Sequence, residues 1–146
     1  MFAATSAAGA PARYPQRVVF HGRVPAAETA AVRAAMSRTL GDEWTAYERT
    51  AGHPPSFRVG RADVDGDGRA DLIAQVTDEG FGYCGSAGCV GFVILARSDG
   101  GWATQALSLT NFDRTLVVLR DAHGGMHDIR VDTGGQVLEW DGEAYQ

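Results

Sequence analysis

The feature that most constrains this chain is an aspartate-rich loop that contains two glycines and is followed at once by a short apolar run. The loop has the pattern D-x-D-G-D-G-x-x-D, and Leu-Ile-Ala-Gln-Val-Thr follows its last aspartate. Half of that run is β-branched, which favours a strand over a helix. Gly68, at the sixth position, suits the sharp turn that such a loop needs. The sequence therefore predicts a tight acidic loop that leads directly into a β-strand.

The carboxylates of this loop have the spacing of a calcium site. Hard cations such as Ca²⁺ take about six to eight oxygen ligands, and alternate residues of a turned loop converge on one centre. We therefore predict Ca²⁺ as a cofactor, although Asp and Gly also favour turns that bind no ion. Position 12 is Ala74, so the closing glutamate of an EF-hand is absent. The predicted ligands are Asp63, Asp65, Asp67, Asp71 and the main-chain carbonyl of Arg69.

Two resemblances to known families follow from these motifs. The loop resembles the calcium loops of FG-GAP and VCBS-type repeats, in which D-x-D-x-D-G-x-x-D leads into a strand, and this implies Ca²⁺ and a β-rich setting. Residues 25–146 are similar to uncharacterised exported bacterial proteins with a Y-C-G-S/T-G-G-C motif, here Tyr83-Cys-Gly-Ser-Ala-Gly-Cys89. Ala87 replaces a glycine of that motif. Neither resemblance implies a reaction or any catalytic residue.

The N-terminus and the two cysteines bear on location. Residues 1–12 are small and apolar and end in an A-x-A-like site, which predicts a signal-peptide remnant or, alternatively, a disordered arm. We therefore expect a periplasmic or secreted protein. In an oxidising compartment Cys84 and Cys89 are expected to form a disulfide. Free buried thiols and a reactive cysteine are the alternatives.

Length and periodicity predict the fold class. A chain of 146 residues with 45% hydrophobic content suits one domain, here residues 13–146. Pro25 opens a helix whose apolar stripe includes Val32 and Met36, and Gly41 ends it. The later segments have strand character and are separated by glycine turns. We predict an α+β fold in which one main N-terminal helix packs on an antiparallel β-meander sheet, with a single calcium loop and too few residues for a full propeller.

Charge and composition exclude several classes of function. The net charge is −5 and the arginines do not cluster, so nucleic acid is not an expected partner. All 13 cationic residues are arginine, which excludes mechanisms that need a Schiff-base or P-loop lysine. No apolar stretch reaches the roughly 18 residues of a transmembrane helix. The sequence does not indicate an oligomeric state.

No group of residues has the spacing of a known catalytic site, so we assign no catalytic residue. His123 and His127 are four residues apart, but the glycines between them predict a turn, and both are expected to be surface histidines or histidines with satisfied hydrogen bonds.

The glycine-rich segment beside the cysteines carries Phe81, Tyr83 and Ser86. Because binding residues gather on loops that a rigid scaffold holds, we predict that these three form a binding loop.

These features together predict an exported calcium-binding domain that binds another protein, as an inhibitor or immunity-like module. Two alternatives remain open. One is a small secreted hydrolase with a structural calcium ion, since the chain holds many carboxylates. The other is a purely structural protein of the cell envelope.

Overall fold

The computed structural model describes residues 13–79, 82, 84–132 and 135–146. The predicted N-terminal remnant, residues 1–12, lies outside these ranges. The helices are α1 (Ala26–Leu40) and α2 (Asp42–Ala51). The strands are β1 (Gln16–Arg17), β2 (Phe57–Ala62), β3 (Asp71–Val76), β4 (Cys84–Gly85), β5 (Gly88–Ile94), β6 (Leu107–Phe112), β7 (Leu116–His123), β8 (Met126–Val131) and β9 (Val137–Leu138).

The strands form two antiparallel sheets, which confirms the α+β class. In the first, here called the β3 sheet, β2 pairs with β3 and β3 with β5, and β5 also pairs with β4 and β6. In the second, here called the β8 sheet, the order is β1-β7-β8-β9. Within the described ranges neither sheet closes into a barrel or propeller. The single meander sheet predicted from the sequence is therefore divided, because its last three strands join β1 in a sheet of their own.

The β3 sheet is the middle layer of three. All six residues of β3 are buried, so both faces of this strand are covered. Leu72, Ala74 and Val76 belong to a core cluster that includes buried side chains of both helices. Ile73 belongs to a second cluster, with Leu116 and other residues of the β8 sheet. Because a strand alternates its side chains between two faces, an apolar run such as β3 is stable only with a layer on each side.

The two helices lie end to end in sequence around Gly41. The predicted stripe of α1 is confirmed, since Val32, Ala35 and Met36 are buried. The helix begins at Ala26 with Pro25 as its N-cap residue, and Gly41 ends it with φ +56°. α2 starts at the next residue and was not predicted, because Trp44 is its only buried residue and gives no periodic stripe. No helix in the described part of the chain is long and apolar enough to span a bilayer.

Candidate metal centre

The acidic loop connects β2 to β3 as a hairpin. Ala62 and Asp71 are cross-strand partners, so the two ends of the loop are held side by side. Asp63, Asp65 and Asp71 each offer a carboxylate oxygen, and these oxygens lie within 4.8 Å of one another. Asp63 and Asp71 are buried, while Asp65 is partly exposed. The structure thus brings together three of the four predicted carboxylates in a group that can hold a metal ion.

The carboxylate of Asp63 organises the turn itself. Its Oδ1 accepts a hydrogen bond from the amide of Gly66 and its Oδ2 from the amide of Gly68, each at 2.9 Å. Both glycines have positive φ, +73° and +87°, a region that residues with a Cβ rarely adopt. The two glycines of the motif therefore let the loop fold back over the side chain of its own first aspartate.

The carboxylate of Asp71 ties the loop to the neighbouring strand. Its Oδ2 accepts from the amide of Val64 and its Oδ1 from the amide of Ala96, each at 2.8 Å. Ala96 lies just beyond β5, so the buried Asp71 side chain joins the loop to a second part of the β3 sheet. A carboxylate oxygen has two acceptor sites, and one on each oxygen remains for a further partner such as a cation.

The charge of the three carboxylates of Asp63, Asp65 and Asp71 favours the binding of a cation. Burial, with a contribution from Asp71, raises the pKa of Asp65 to about 7. Burial also raises the pKa of Asp71 to about 6, although the amides of Ala96 and Val64 act in the opposite direction. Both shifts favour the protonated forms of these carboxylates, because ionising them in this buried group leaves negative charge without enough positive charge nearby. The oxygen-only donor set and this uncompensated charge both fit a hard divalent cation.

Asp67 contacts Arg69 on one side, and its amide donates to Asp65 Oδ1 at 3.3 Å on the other. The Asp67 carboxylate accepts from the amide of Arg69 at 2.8 Å, and its other oxygen lies 3.3 Å from the guanidinium. Partial burial works against ionisation here, but hydrogen bonds from Arg69 and Asp65 prevail and lower the pKa of Asp67. The group of three carboxylates within 4.8 Å of one another does not include Asp67. Its role as a ligand, like that of the Arg69 carbonyl, stays a prediction.

The loop also contacts the β8 sheet, and no sequence pattern predicted this contact. The amide of His127 donates to the carbonyl of Val64 at 2.8 Å, and the Tyr14 hydroxyl donates to the carbonyl of Asp63 at 2.7 Å. The rings of Tyr14 and His127 stack at 3.8 Å. His127 Nδ1 faces the Leu119 carbonyl at 2.8 Å, so it carries the proton. These contacts place the acidic loop at the junction of the two sheets.

The predicted disulfide between Cys84 and Cys89 is confirmed. The two residues are cross-strand partners in the β4–β5 hairpin, with Cα atoms 4.0 Å apart. A bridge that closes so short a loop contributes about 2 kcal/mol by restricting the unfolded chain. It also indicates a location outside the reducing cytoplasm. Ser86 is exposed in the hairpin turn, whereas Phe81 and Tyr83, predicted as its partners in a binding loop, lie outside the described residues.

The disulfide hairpin and the acidic loop occupy opposite ends of the β3 sheet. The acidic loop precedes Asp71, at the start of β3, whereas Cys89 lies beyond Gly91, the partner of Gln75 near the end of β3. Six residues of extended chain span about 20 Å. A metal ion in the acidic loop therefore does not touch the disulfide hairpin, although the two motifs are close in sequence.

Comparisons with known proteins add no relative to this picture. No family model, no curated protein and no solved structure matches the chain.

Proposed function

We propose that this chain is a periplasmic or secreted domain that uses one Ca²⁺ ion as a structural element and binds another protein through its disulfide hairpin. The observation that carries the calcium proposal is the convergence of Asp63, Asp65 and Asp71 at the junction of the two sheets. A bound Ca²⁺ would supply the positive charge that this group lacks. The residues themselves hold the loop closed and connect β2, β3 and the segment after β5.

Calorimetric titration of chelator-treated protein tests the calcium proposal. We expect one Ca²⁺ per chain, with a dissociation constant of roughly 10⁻⁵–10⁻³ M, the range typical of extracellular modules. Asp65→Asn should weaken binding by about tenfold or more, because it removes one anionic ligand and leaves the backbone hydrogen bonds of Asp63 and Asp71 intact.

Asp113→Asn is the matched control, since it removes the same charge from a side chain that is 72% exposed and remote from the loop. It should bind Ca²⁺ as the wild type does. Absence of binding by the wild type at several millimolar Ca²⁺, or equal affinities for the two variants, would contradict the calcium proposal.

The protein-binding proposal is supported by a cleft beside the disulfide hairpin. Its volume is about 350 Å³, and its wall includes both cysteines together with charged side chains of either sign. Those charged residues are Arg58, Glu79, Asp113 and Arg114. Concave surfaces with a few fixed polar groups are favoured sites of recognition.

Buried hydrogen bonds hold the floor of this cleft. Gln75 is 3% exposed, and its Nε2 donates to the carbonyl of Phe112 at 2.6 Å and to that of Cys89 at 3.3 Å. Its Oε1 accepts from Nε of Arg58 at 2.6 Å. One buried amide side chain therefore fixes the ends of β5 and β6 and orients a cationic side chain in the cleft. Such preorganisation reduces the entropy that is lost on binding.

The adjoining wall is fixed in a similar way. The turn that contains Asp113 and Arg114 is held by the carboxylate of Asp132, which accepts hydrogen bonds from both of their amides at 3.1 Å. The two side chains stay exposed, 72% and 84%, on a backbone that is tied to the end of β8. Rigid backbone with exposed charged side chains suits a surface that recognises another protein.

A partner isolated from the exported fraction of the source cells, then purified, allows a quantitative test. Ser86→Arg, which adds a bulky charge at the tip of the disulfide hairpin, should weaken its binding by about tenfold or more. Ser98→Arg makes the same change in the exposed turn beyond the other end of β5 and should have no effect. Asp65→Asn should also leave the affinity unchanged below its melting temperature.

Equal affinities of Ser86→Arg and Ser98→Arg would contradict the proposed position of the binding surface. Turnover by the purified wild-type protein on a panel of hydrolase substrates would favour the alternative function, a secreted hydrolase, over a binding module.

A further inference from the structure

A second group of side chains that could hold a metal ion lies on the β8 sheet and shares no residue with the acidic loop. His123 ends β7, Asp128 lies within β8, and Glu139 follows β9. One nitrogen of the histidine and one oxygen of each carboxylate lie within 4.8 Å of one another. The two ring nitrogens of His123 both face carboxylates, Nδ1 with Asp128 Oδ1 at 2.7 Å and Nε2 with Glu139 Oε1 at 3.7 Å. Three separate segments of the chain therefore contribute ligand atoms to one group.

The fold positions these three residues firmly. Two glycines with positive φ, Gly124 at +59° and Gly125 at +83°, form the tight β7–β8 turn, and His123 pairs across it with Met126. Glu139 is held next to β8 because the preceding residue, Leu138, pairs with Ile129 and is 1% exposed. The arrangement comes from sheet register and not from a flexible acidic loop.

The burial of the three side chains differs in a way that suits a metal site. The Asp128 side chain is only 6% exposed, whereas those of His123 and Glu139 are 49% and 58% exposed. A buried carboxylate needs a positive partner, and here a half-exposed imidazole faces it. The exposed sides of the histidine and the glutamate leave the group open to solvent, so an ion and a water ligand can reach it.

The donor set distinguishes this group from the acidic loop. Oxygen-only sites suit Ca²⁺ and Mg²⁺, whereas an imidazole nitrogen suits zinc and its neighbours among the transition metals. Three protein ligands with one open position describe a tetrahedral zinc site, for which bonds of about 2.0–2.2 Å place neighbouring ligands roughly 3.4 Å apart. The two contacts of His123 go to different ring nitrogens, so an ion bound to one nitrogen takes the place of the contact between that nitrogen and its carboxylate.

We propose that His123, Asp128 and Glu139 form a site for a divalent transition metal of the zinc class, separate from the acidic loop and independent of the calcium proposal. Water completes the coordination on the solvent side. The ion would connect the β7–β8 hairpin to the segment after β9, two parts of the β8 sheet that are near the end of the chain.

Titration of tag-free protein with Zn²⁺, in buffer that already contains saturating Ca²⁺, tests this proposal. We expect one Zn²⁺ per chain, and Co²⁺ should bind at the same site with the strong visible absorption of a tetrahedral centre. Glu139→Gln should weaken Zn²⁺ binding by roughly tenfold or more, and His123→Ala should weaken it further. Because the Glu139 side chain is largely exposed, Glu139→Gln keeps the fold, which its melting temperature in metal-free buffer can verify.

His21→Ala and Glu143→Gln are matched controls, since both residues are exposed and lie outside the group. They should bind Zn²⁺ as the wild type does. Failure of the wild type to bind Zn²⁺ up to about millimolar concentration would overturn the proposal. Unchanged Zn²⁺ affinity in both Glu139→Gln and His123→Ala would also overturn it. Loss of Zn²⁺ binding in Asp65→Asn would do so too, because that result would assign the zinc to the acidic loop.

Discussion

Replacing Asp71 by alanine should lower the free energy of unfolding by roughly 2–5 kcal/mol even in the absence of calcium. The side chain is fully buried and accepts hydrogen bonds from the amides of Val64 and Ala96, so its removal leaves one buried and one partly buried donor without an acceptor. Each unsatisfied buried group costs about 1–3 kcal/mol. Urea denaturation followed by circular dichroism, in chelator-treated buffer, measures this loss.

Two further variants test whether the loss of stability comes from the hydrogen bonds of Asp71. Asp71→Asn keeps one acceptor oxygen but presents an NH₂ group to the second amide, so its stability should lie below that of the wild type. Asp113→Ala, at an exposed position, should change the free energy of unfolding by no more than about 0.5 kcal/mol. If Asp71→Ala were as stable as Asp113→Ala, the bonds of Asp71 could not be what holds the acidic loop to the β3 sheet.

The second large effect is a calcium-dependent stabilisation that grows with pH. In metal-free protein the raised pKa values of Asp65, about 7, and Asp71, about 6, exceed the ordinary value of about 3.9 for an unfolded chain. The folded state then binds more protons than the unfolded state between about pH 4 and 7. The contribution of these groups to stability is therefore fully present below pH 4 and is lost as pH rises through 6 and 7.

Calcium should reverse this trend, because it binds the ionised carboxylates. At a concentration one hundredfold above the dissociation constant, linkage adds about 2.7 kcal/mol, or roughly 10 °C in melting temperature for a domain of this size. Thermal melts at pH 5 and pH 8, with and without Ca²⁺, should give the larger calcium increment at pH 8. An increment of equal size at both pH values would contradict this expectation, as would its retention in Asp65→Asn.

The local features of this protein are those that its sequence predicted best. The acidic loop, the strand that follows it and the Cys84–Cys89 bridge each depend on residues within about ten positions of one another, and local spacing limits their geometry. The α1 stripe is predictable for the same reason, because helical periodicity repeats within one segment. The spacing did not show that Asp67 also contacts the guanidinium of Arg69, and its role as a ligand stays a prediction.

The division of the strands into two sheets could not be read from the sequence. Glycine turns show where strands end, but not whether the next strand continues the same sheet or crosses to another layer. That choice depends on which arrangement covers both faces of β3, and it involves residues as distant as Val18 and Leu138, which share one core cluster. α2 was missed for a related reason, since one buried residue, Trp44, holds it against the β3 sheet.

The carboxylates that can bind a cation, the disulfide pair and the α+β class were all predictable from the amino-acid sequence, because each rests on short-range chemistry or on periodicity. Their positions relative to one another depend on how the strands pair in three dimensions. Strand pairing placed the acidic loop and the disulfide hairpin at opposite ends of the β3 sheet, although Asp71 and Cys84 are only 13 positions apart. It also brought His123, Asp128 and Glu139 together, since antiparallel register makes neighbours of residues whose spacing matches no metal-binding motif.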